Sequence, residues 1–240
     1  MMIDLHCHIL PGLDDGAKDM EACREMLEAA WADGIRAIVA TPHFNSQMPA
    51  DYMKRRNLTL AAVSRMAEKL HPGFRLFPGF ELYFDSTIPD QLAAGKPLSL
   101  NGTKYVLVEF LPGAEYSYIQ RAVQEIQYAG FWPVLAHMER YEALEEEGRI
   151  QELIDMGAFM QMNAGSLLGR YGWKRTRQLW TYVRKEQIHV IGCDAHDARI
   201  RGFRMTECRK AIGKKAGTEY QKRLCGGSAL AIIKGEYLGE

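Results

Sequence analysis

The chain has 240 residues, 47% of them apolar and 25% charged, enough to bury a large core in one barrel-sized domain spanning residues 1–240. Lys plus Arg number 30 and Asp plus Glu number 30, so there is no net charge to favour nonspecific nucleic-acid binding. Five cysteines without framework spacing point to free thiols in a reducing compartment, and neither a signal leader nor a bilayer-length apolar run is present, which predicts a cytoplasmic protein without stable membrane insertion.

Short apolar runs alternate with helical patterns along the chain. Residues 2–6 read as a buried strand ending on His6, followed by His8 and the Asp14–Asp15 pair. Apolar positions recur at helical spacing over 20–32, with Asp19 as the N-cap. A strand over 36–41 leads into Thr41-Pro42-His43, and a long helix over 51–70 stops before Gly73. Strands over 75–81, 105–109 and 133–137 end on Glu81, Glu109 and His137. Helices over 117–129 and 145–156 flank the third of these. A strand over 159–163 ends on Asn163, and a helix over 174–186 precedes the last strand, 189–194, which ends on Asp194 with His196 two residues on. From residue 205 onward the chain is helical and basic, and no repeat or linker divides it.

Strands alternating with helices imply parallel pairing and right-handed crossovers. An open doubly wound sheet concentrates its site at a switch point, often beside a Gly-rich first turn. Here the first turn is His8-Ile9-Leu10-Pro11-Gly12, and chemistry-bearing residues end many strands, the pattern of a (β/α) barrel.

His6 and His8 are two apart, so an extended strand turns both to one face and Cys7 to the other. Asp194 and His196 repeat the spacing. Either pair alone is weak evidence, because such pairs are common in cores and on surfaces. With His43, Glu81, Glu109, His137 and Asp15 they form a nitrogen-and-oxygen ligand set larger than one ion needs. Imidazole plus carboxylate without thiolate suits Mn, Fe or Zn. Three such ions would outweigh the charge of Asp15, Glu81, Glu109 and Asp194, which favours an anionic substrate, and clustered cations supply hydroxide at neutral pH. Arg140 and Arg201 follow strand ends closely, and a guanidinium fork matches phosphate oxygens. His71 and His189 lie away from these ends and read as structural or solvated.

These residues resemble the polymerase-and-histidinol-phosphatase (PHP) superfamily, in particular its CpsB/CapC-type branch of bacterial manganese-dependent protein-tyrosine phosphatases. The carrying motifs are Ile3-Asp4-Leu5-His6-Cys7-His8 with Leu13-Asp14-Asp15-Gly16, Thr41-Pro42-His43, Gly79-Phe80-Glu81, Val108-Glu109-Phe110, Ala136-His137 with Arg140-Tyr141, and Cys193-Asp194-Ala195-His196. The resemblance implies an α/β fold, a distorted (β/α)7 TIM-like barrel of PHP type in a single domain, holding two to three Mn2+ ions. By resemblance, His6, His8, Glu81 and Asp194 hold one ion. Glu81, Glu109 and His137 hold a second, and Asp15, His43 and His196 a third, with Asp14 as the alternative to Asp15. Arg140 and Arg201 match the phosphate-binding arginines and, with His43 and His196, make the candidate catalytic group. Cys193 and Asp197 stand where the family often shows Ser and Asn. The implied reaction is hydrolysis of phosphotyrosine in a protein, the partner being the tail of a bacterial tyrosine kinase that controls capsule or exopolysaccharide synthesis. A homo-oligomer is compatible with this reading.

Three other readings fit parts of the sequence. Cys193 and Arg199 match the Cys-x5-Arg spacing of cysteine phosphatases, but the residues between them lack glycine and carry two carboxylates. A non-catalytic metal-binding regulator of a kinase could use the basic C-terminal third. A PHP hydrolase of a small phosphate ester, such as histidinol phosphate, would keep the chemistry and change the substrate. Phe44, Tyr83, Phe84 and Tyr141 follow ligand positions closely and are expected either at the mouth of the site or in rim packing.

Overall fold

The computed structural model describes residues 1–239. In chain order the elements are β1 (Met2–Cys7), α1 (Met20–Ala32), β2 (Ile35–Ala40), β3 (His43–Phe44), α2 (Tyr52–Leu70), β4 (Arg75–Pro78), β5 (Glu81–Tyr83) and α3 (Ile88–Ala93). There follow β6 (Tyr105–Glu109), α4 (Tyr116–Tyr128), β7 (Trp132–Leu135), α5 (Arg149–Asp155), β8 (Phe159–Asn163), α6 (Ala164–Leu167), α7 (Gly172–Arg184) and β9 (Val190–Gly192). The tail forms α8 (Met205–Ala216), α9 (Thr218–Lys222) and α10 (Ser228–Lys234).

The strands pair in parallel, as the alternation predicts. One sheet runs β1-β2-β4 and the other β3-β5-β6-β7-β8-β9. The expected strand over 36–41 is present as β2, with a short further strand, β3, just past it, and the expected strand over 75–81 is broken into β4 and β5. Pro42 has no N–H to extend the β2 ladder; Thr41 donates to the Cys7 carbonyl at 3.0 Å, and one residue later Pro42 accepts from Glu81. The chain thus changes partners at Thr41-Pro42, and β3 continues the path of β2 in the second sheet. Gly79-Phe80 separates β4 from β5 in the same way. The two sheets meet where Asp194 N–H reaches the His6 carbonyl at 2.8 Å and His8 N–H reaches the Ala195 carbonyl at 2.9 Å. Nine short strands therefore follow seven paths around a distorted TIM-like barrel.

Ile3, Leu5, Val39, Leu107, Val134 and Val190 fill the barrel interior. The tail closes its lower end: Ala229, Ile232 and Ile233 of α10 join the interior cluster. Each large apolar side chain buried in this way contributes roughly 1.5–3 kcal/mol relative to exposure. Tyr105 anchors the plug, its hydroxyl donating to the Glu236 carbonyl at 2.8 Å and accepting from Leu238 N–H at 2.9 Å. Cys7, Ile38, Val106, Val108, Leu135 and Ile191 belong to the outer layer under the helices. Asp19 caps α1 as its position suggests, accepting from Ala22 N–H at 2.9 Å. The expected helix over 145–156 is shorter, because Gly148 at φ 94° breaks it before α5. All five cysteines are free and buried. Among the described residues no helix is long and apolar enough to cross a membrane.

Candidate metal centre

The C-terminal ends of the strands converge on one polar cluster at the top of the barrel. Alternation alone does not aim His6 there. Ile3 and Leu5 point inward, so the next inward position would be Cys7. A register shift between Asp4 and Cys7 corrects this, setting Asp4 opposite Ile38 and Cys7 opposite Ala40. Such a bulge re-aims the side chains after it. His6 and His8 then face the centre and Cys7 faces the helix layer. The buried Asp4 carboxylate holds the bulge, accepting from His6 N–H at 3.3 Å and Cys193 N–H at 2.8 Å. Burial raises its pKa to about 6, against the lowering effect of those donors. Close packing fixes both rings: a Cβ on Gly192 would lie 2.8 Å from His6 Cβ, and one on Gly16 would lie 2.0 Å from the His8 carbonyl oxygen.

Glu81, fully buried, is the hub. Its Oε1 lies 3.2 Å from His6 Nε2 and 2.7 Å from His137 Nε2, and its Oε2 lies 3.2 Å from His8 Nε2 and 3.0 Å from His43 Nδ1. Glu109 Oε1 is 3.0 Å from His43 Nδ1, and its Oε2 is 3.6 Å from His137 Nε2. Asp194 Oδ1 is 3.4–3.7 Å from His6, His8 and His196. Asp15 Oδ1 stands 3.3 Å from both His43 Nε2 and His196 Nε2. Three groups bring ligand atoms within 4.8 Å of one another: His6, His8 and Glu81; His43, Glu81 and Glu109; and His8, Asp15, His43 and His196. His43 thus reaches two of the three expected groups, while His137 joins the second through Glu81.

Two features fit this donor set to divalent cations. First, three histidines spend Nδ1 on an outer acceptor: His6 on Gln161 Oε1, His8 on Asp14 Oδ2 at 2.8 Å, and His196 on the Asp194 carbonyl at 3.0 Å. Each then turns an Nε2 lone pair to the centre, the usual arrangement of metal-binding imidazoles. Second, His43 Nδ1, Glu81 Oε2 and His196 Nε2 are buried without a hydrogen-bond partner, although His43 Nδ1 lies 3.0 Å from Glu81 Oε2 and His196 Nε2 lies 3.3 Å from Asp15 Oδ1. Buried polar atoms seldom lack a partner, and lone pairs converging on one space suit a cation.

The electrostatics agree. Burial opposes charge on Glu81, but His6, His137 and His43 hold its carboxyl well below the usual range. Burial also opposes charge on His43, yet the neighbouring carboxylates of Glu109 and Glu81 raise its pKa to about 10. His196 goes the other way, pushed down to about 4 by burial and by His8. The carboxylates pull positive charge onto the imidazoles, and that is the charge a cation would bring.

Arg140 and Arg201 reach the rim. Arg140 Nη2 pairs with Asp194 Oδ2, and Arg201 Nη2 lies 3.4 Å from the same oxygen. Their side chains are 27% and 30% exposed, open enough to meet a ligand. Asp197 shapes the Arg201 loop, its carboxylate accepting the N–H groups of Arg199, Ile200 and Arg201 at 2.6–3.0 Å. The departure from Asn therefore serves a three-donor turn.

Every candidate residue lies at this cluster, and of the acidic pair Asp15 faces His43 and His196 while Asp14 supports His8 from behind. Asp14 also accepts from His43 N–H at 3.1 Å. His71 pairs with Glu28 at 2.7 Å and stacks on Trp31, and His189 accepts from Met160 N–H at 3.0 Å, both away from the centre. Of the four aromatics only Tyr83 is exposed; Phe44, Phe84 and Tyr141 are buried rim packing. Tyr141 locks two strand ends, donating to the Ala136 carbonyl and accepting from Phe110 N–H. Burial, with Asp4 nearby, pushes the Cys193 thiol well up, the reverse of what a nucleophilic cysteine needs.

Sequence reasoning missed Asp4, Gln161 and Glu139 as supporting groups. Glu139 is buried between His137 and Arg140 and accepts from Asn163 N–H at 3.1 Å and the Ser166 hydroxyl at 2.6 Å. Asp4 and Gln161 each lie two residues from a singled-out residue on the same strand, His6 and Asn163, and that spacing was the available signal.

With the geometry in hand, resemblance to known proteins is direct. The family model "Capsular polysaccharide synthesis, CpsB/CapC" matches residues 2–234. The chain is 35% identical over 226 residues to "Tyrosine-protein phosphatase YwqE" of Bacillus subtilis (strain 168), covering 91% of this chain and 86% of that protein. It superposes with a TM-score of 0.90 and 33% identity on a structure described as YwqE from Bacillus subtilis and CpsB from Streptococcus pneumoniae, "unique metal-dependent tyrosine phosphatases", covering 98% of this chain and 95% of that one. A histidinol phosphate phosphatase from Lactococcus lactis shares the fold alone, with a TM-score of 0.55 and 15% identity over 90% of this chain and 94% of that one. A full-length family match and a one-third-identical relative lead to one conclusion: this chain belongs to the CpsB/CapC family.

Proposed function

We propose that the chain is a metal-dependent phosphatase that hydrolyses phosphotyrosine in proteins, with residues 1–240 acting as one catalytic domain. The observation that carries this reading is the cluster of five histidines and four carboxylates around Glu81, flanked by two arginines. His6, His8, Asp15, His43, Glu81, Glu109, His137, Asp194 and His196 would hold two to three divalent ions, with Mn2+ preferred and Fe or Zn as alternatives. Bound ions would supply Lewis-acid stabilisation of phosphate oxygens and lower the pKa of water.

The protein's own groups do the rest. Arg140 and Arg201 would bind the phosphate and stabilise charge on its equatorial oxygens. Each guanidinium also keeps Asp194 in place through its Oδ2 contact. His43 and His196 sit beside Asp15 at the open side of the cluster, where as ligands they would hold the site open to water able to give the leaving oxygen its proton. A phenolate is a stable leaving group and makes less demand on that proton than a serine alkoxide. Tyr83, exposed at the rim, is placed to pack on a phenyl ring. The natural substrate in this reading is the tyrosine-bearing tail of a bacterial kinase of capsule or exopolysaccharide synthesis, met in the cytoplasm.

The test is a phosphatase panel on the purified protein before and after chelation. Mn2+-restored cleavage of phosphotyrosine peptides well above phosphoserine peptides and histidinol phosphate is expected. A preference for histidinol phosphate at matched concentration would overturn the substrate assignment.

A further inference from the structure

We infer that Gln161 and Asn163 form a buried amide relay that sets the tautomer of His6 and positions His137 and Asp194. The inference rests on the reading above that these three side chains hold a divalent cation. Gln161 and Asn163 are two apart on β8, so both face the centre. They are 0% and 2% exposed. Gln161 Oε1 accepts from His137 N–H at 2.7 Å and lies 3.1 Å from His6 Nδ1. Gln161 Nε2 donates to Asn163 Oδ1 at 2.8 Å, and Asn163 Nδ2 donates to Asp194 Oδ2 at 3.0 Å.

The two ends of this chain force its direction. A backbone N–H can only donate, so the Gln161 atom facing His137 is the oxygen. An ionised carboxylate can only accept, so the Asn163 atom facing Asp194 is the nitrogen. The two amides then meet donor to acceptor. With its oxygen committed as acceptor, Gln161 needs His6 Nδ1 to carry a hydrogen. The Nε2 lone pair of His6 is thereby left for the centre, facing Glu81 and Asp194.

The same relay ties down two unusual backbones. His137 has φ 32° and Asp194 has φ 51°, both in the left-handed region that residues other than glycine seldom occupy. Each is bonded to the relay, His137 through its N–H and Asp194 through its carboxylate. Such conformations persist where the surroundings over-determine them. Gly192 holds the relay from the side: a Cβ there would lie 3.0 Å from Gln161 Nε2 and 2.8 Å from His6 Cβ. Neither amide has an atom free to reach a substrate, so both are positioning residues.

The experiment combines Mn2+ titration calorimetry of the metal-free protein with long-range 15N–1H NMR of its histidine rings. At a pH high enough for the ring to be neutral, the wild type should show His6 protonated on Nδ1. Gln161→Met, close in size, should mix the His6 tautomers and weaken Mn2+ binding about 10–100-fold, the scale for an outer partner of a ligand. Gln161→Glu keeps an acceptor for His6 and His137 and should restore the tautomer. Asn163→Ala leaves that acceptor in place, so it should keep the His6 tautomer. Unlike the partly exposed arginines, whose place water can take, Asn163 is the buried donor to Asp194 and the acceptor of Gln161 Nε2, so its loss should still cost about tenfold or more in Mn2+ affinity. A wild-type His6 protonated on Nε2 would overturn the inference, and so would wild-type Mn2+ affinity in Asn163→Ala. Mn2+ binding and the His6 tautomer as expected, without hydrolysis of phosphotyrosine peptides, would overturn the functional reading alone.

Discussion

Replacing Arg140 or Arg201 by alanine tests whether the arginines act on phosphate or merely shield Asp194. Asp194 Oδ2 has three donors: Arg140 Nη2, Arg201 Nη2 at 3.4 Å and Asn163 Nδ2 at 3.0 Å. Removing one arginine leaves two donors on that oxygen, and the histidine contacts of Oδ1 are untouched. Both side chains are about a quarter to a third exposed, so little buried area is lost. Metal content and melting temperature should therefore stay close to wild type. A hydrogen bond to a charged group contributes about 1.5–3 kcal/mol, and about 1.4 kcal/mol is a tenfold change in rate. Each single variant should lower kcat/KM on a phosphotyrosine peptide by roughly 10–150-fold. The assay is steady-state kinetics at fixed Mn2+ with metal analysis and thermal melting on the same samples. Unchanged kinetics in both variants would return the arginines to a solvated role. Activity lost in proportion to metal would make them guardians of Asp194 rather than phosphate binders.

Other outcomes follow from the same geometry. His6→Ala and Asp194→Ala should each lose bound metal and nearly all turnover, as measured by metal analysis beside the peptide assay; full activity in either would remove that residue from the ligand set. Cys193→Ser should keep most activity, because the buried thiol is held well above its usual pKa; inactivity with metal content unchanged would reinstate a cysteine nucleophile. His189 is held neutral, its pKa lowered to about 4 by burial and by Arg223, and its Nδ1 accepts from Met160 N–H. Its unfolded pKa is higher, near 6.5, so its contribution is complete above that value and fades as pH falls toward 4. About 2 kcal/mol should be gone by pH 5. Urea unfolding at pH 7 and pH 5 should show that loss in wild type and not in His189→Gln; equal losses in both would refute the assignment.

The sequence alone determined the strand-helix alternation, the parallel barrel and the identity of the clustered side chains. The reason is local: period-2 apolar runs, the Asp19 cap and the His-x-His spacing are properties of consecutive residues. It also separated His71 and His189 from the cluster, because neither ends a strand at the top of the barrel. Tertiary structure decided what depends on partners distant in the chain. Only the pairing of β1 with β2 reveals the bulge that turns His6 inward after Leu5. The break at Thr41-Pro42 becomes visible only when Glu81, on another strand, takes the next hydrogen bond. Phe44, Phe84 and Tyr141 look like mouth residues by position, yet packing buries them and leaves Tyr83 outside. Gln161 carries no charge and no motif, and its role arises because His6, His137 and Asn163 come within reach of one amide. A side chain's type is fixed by the chain, whereas the atom it must face is fixed by the fold.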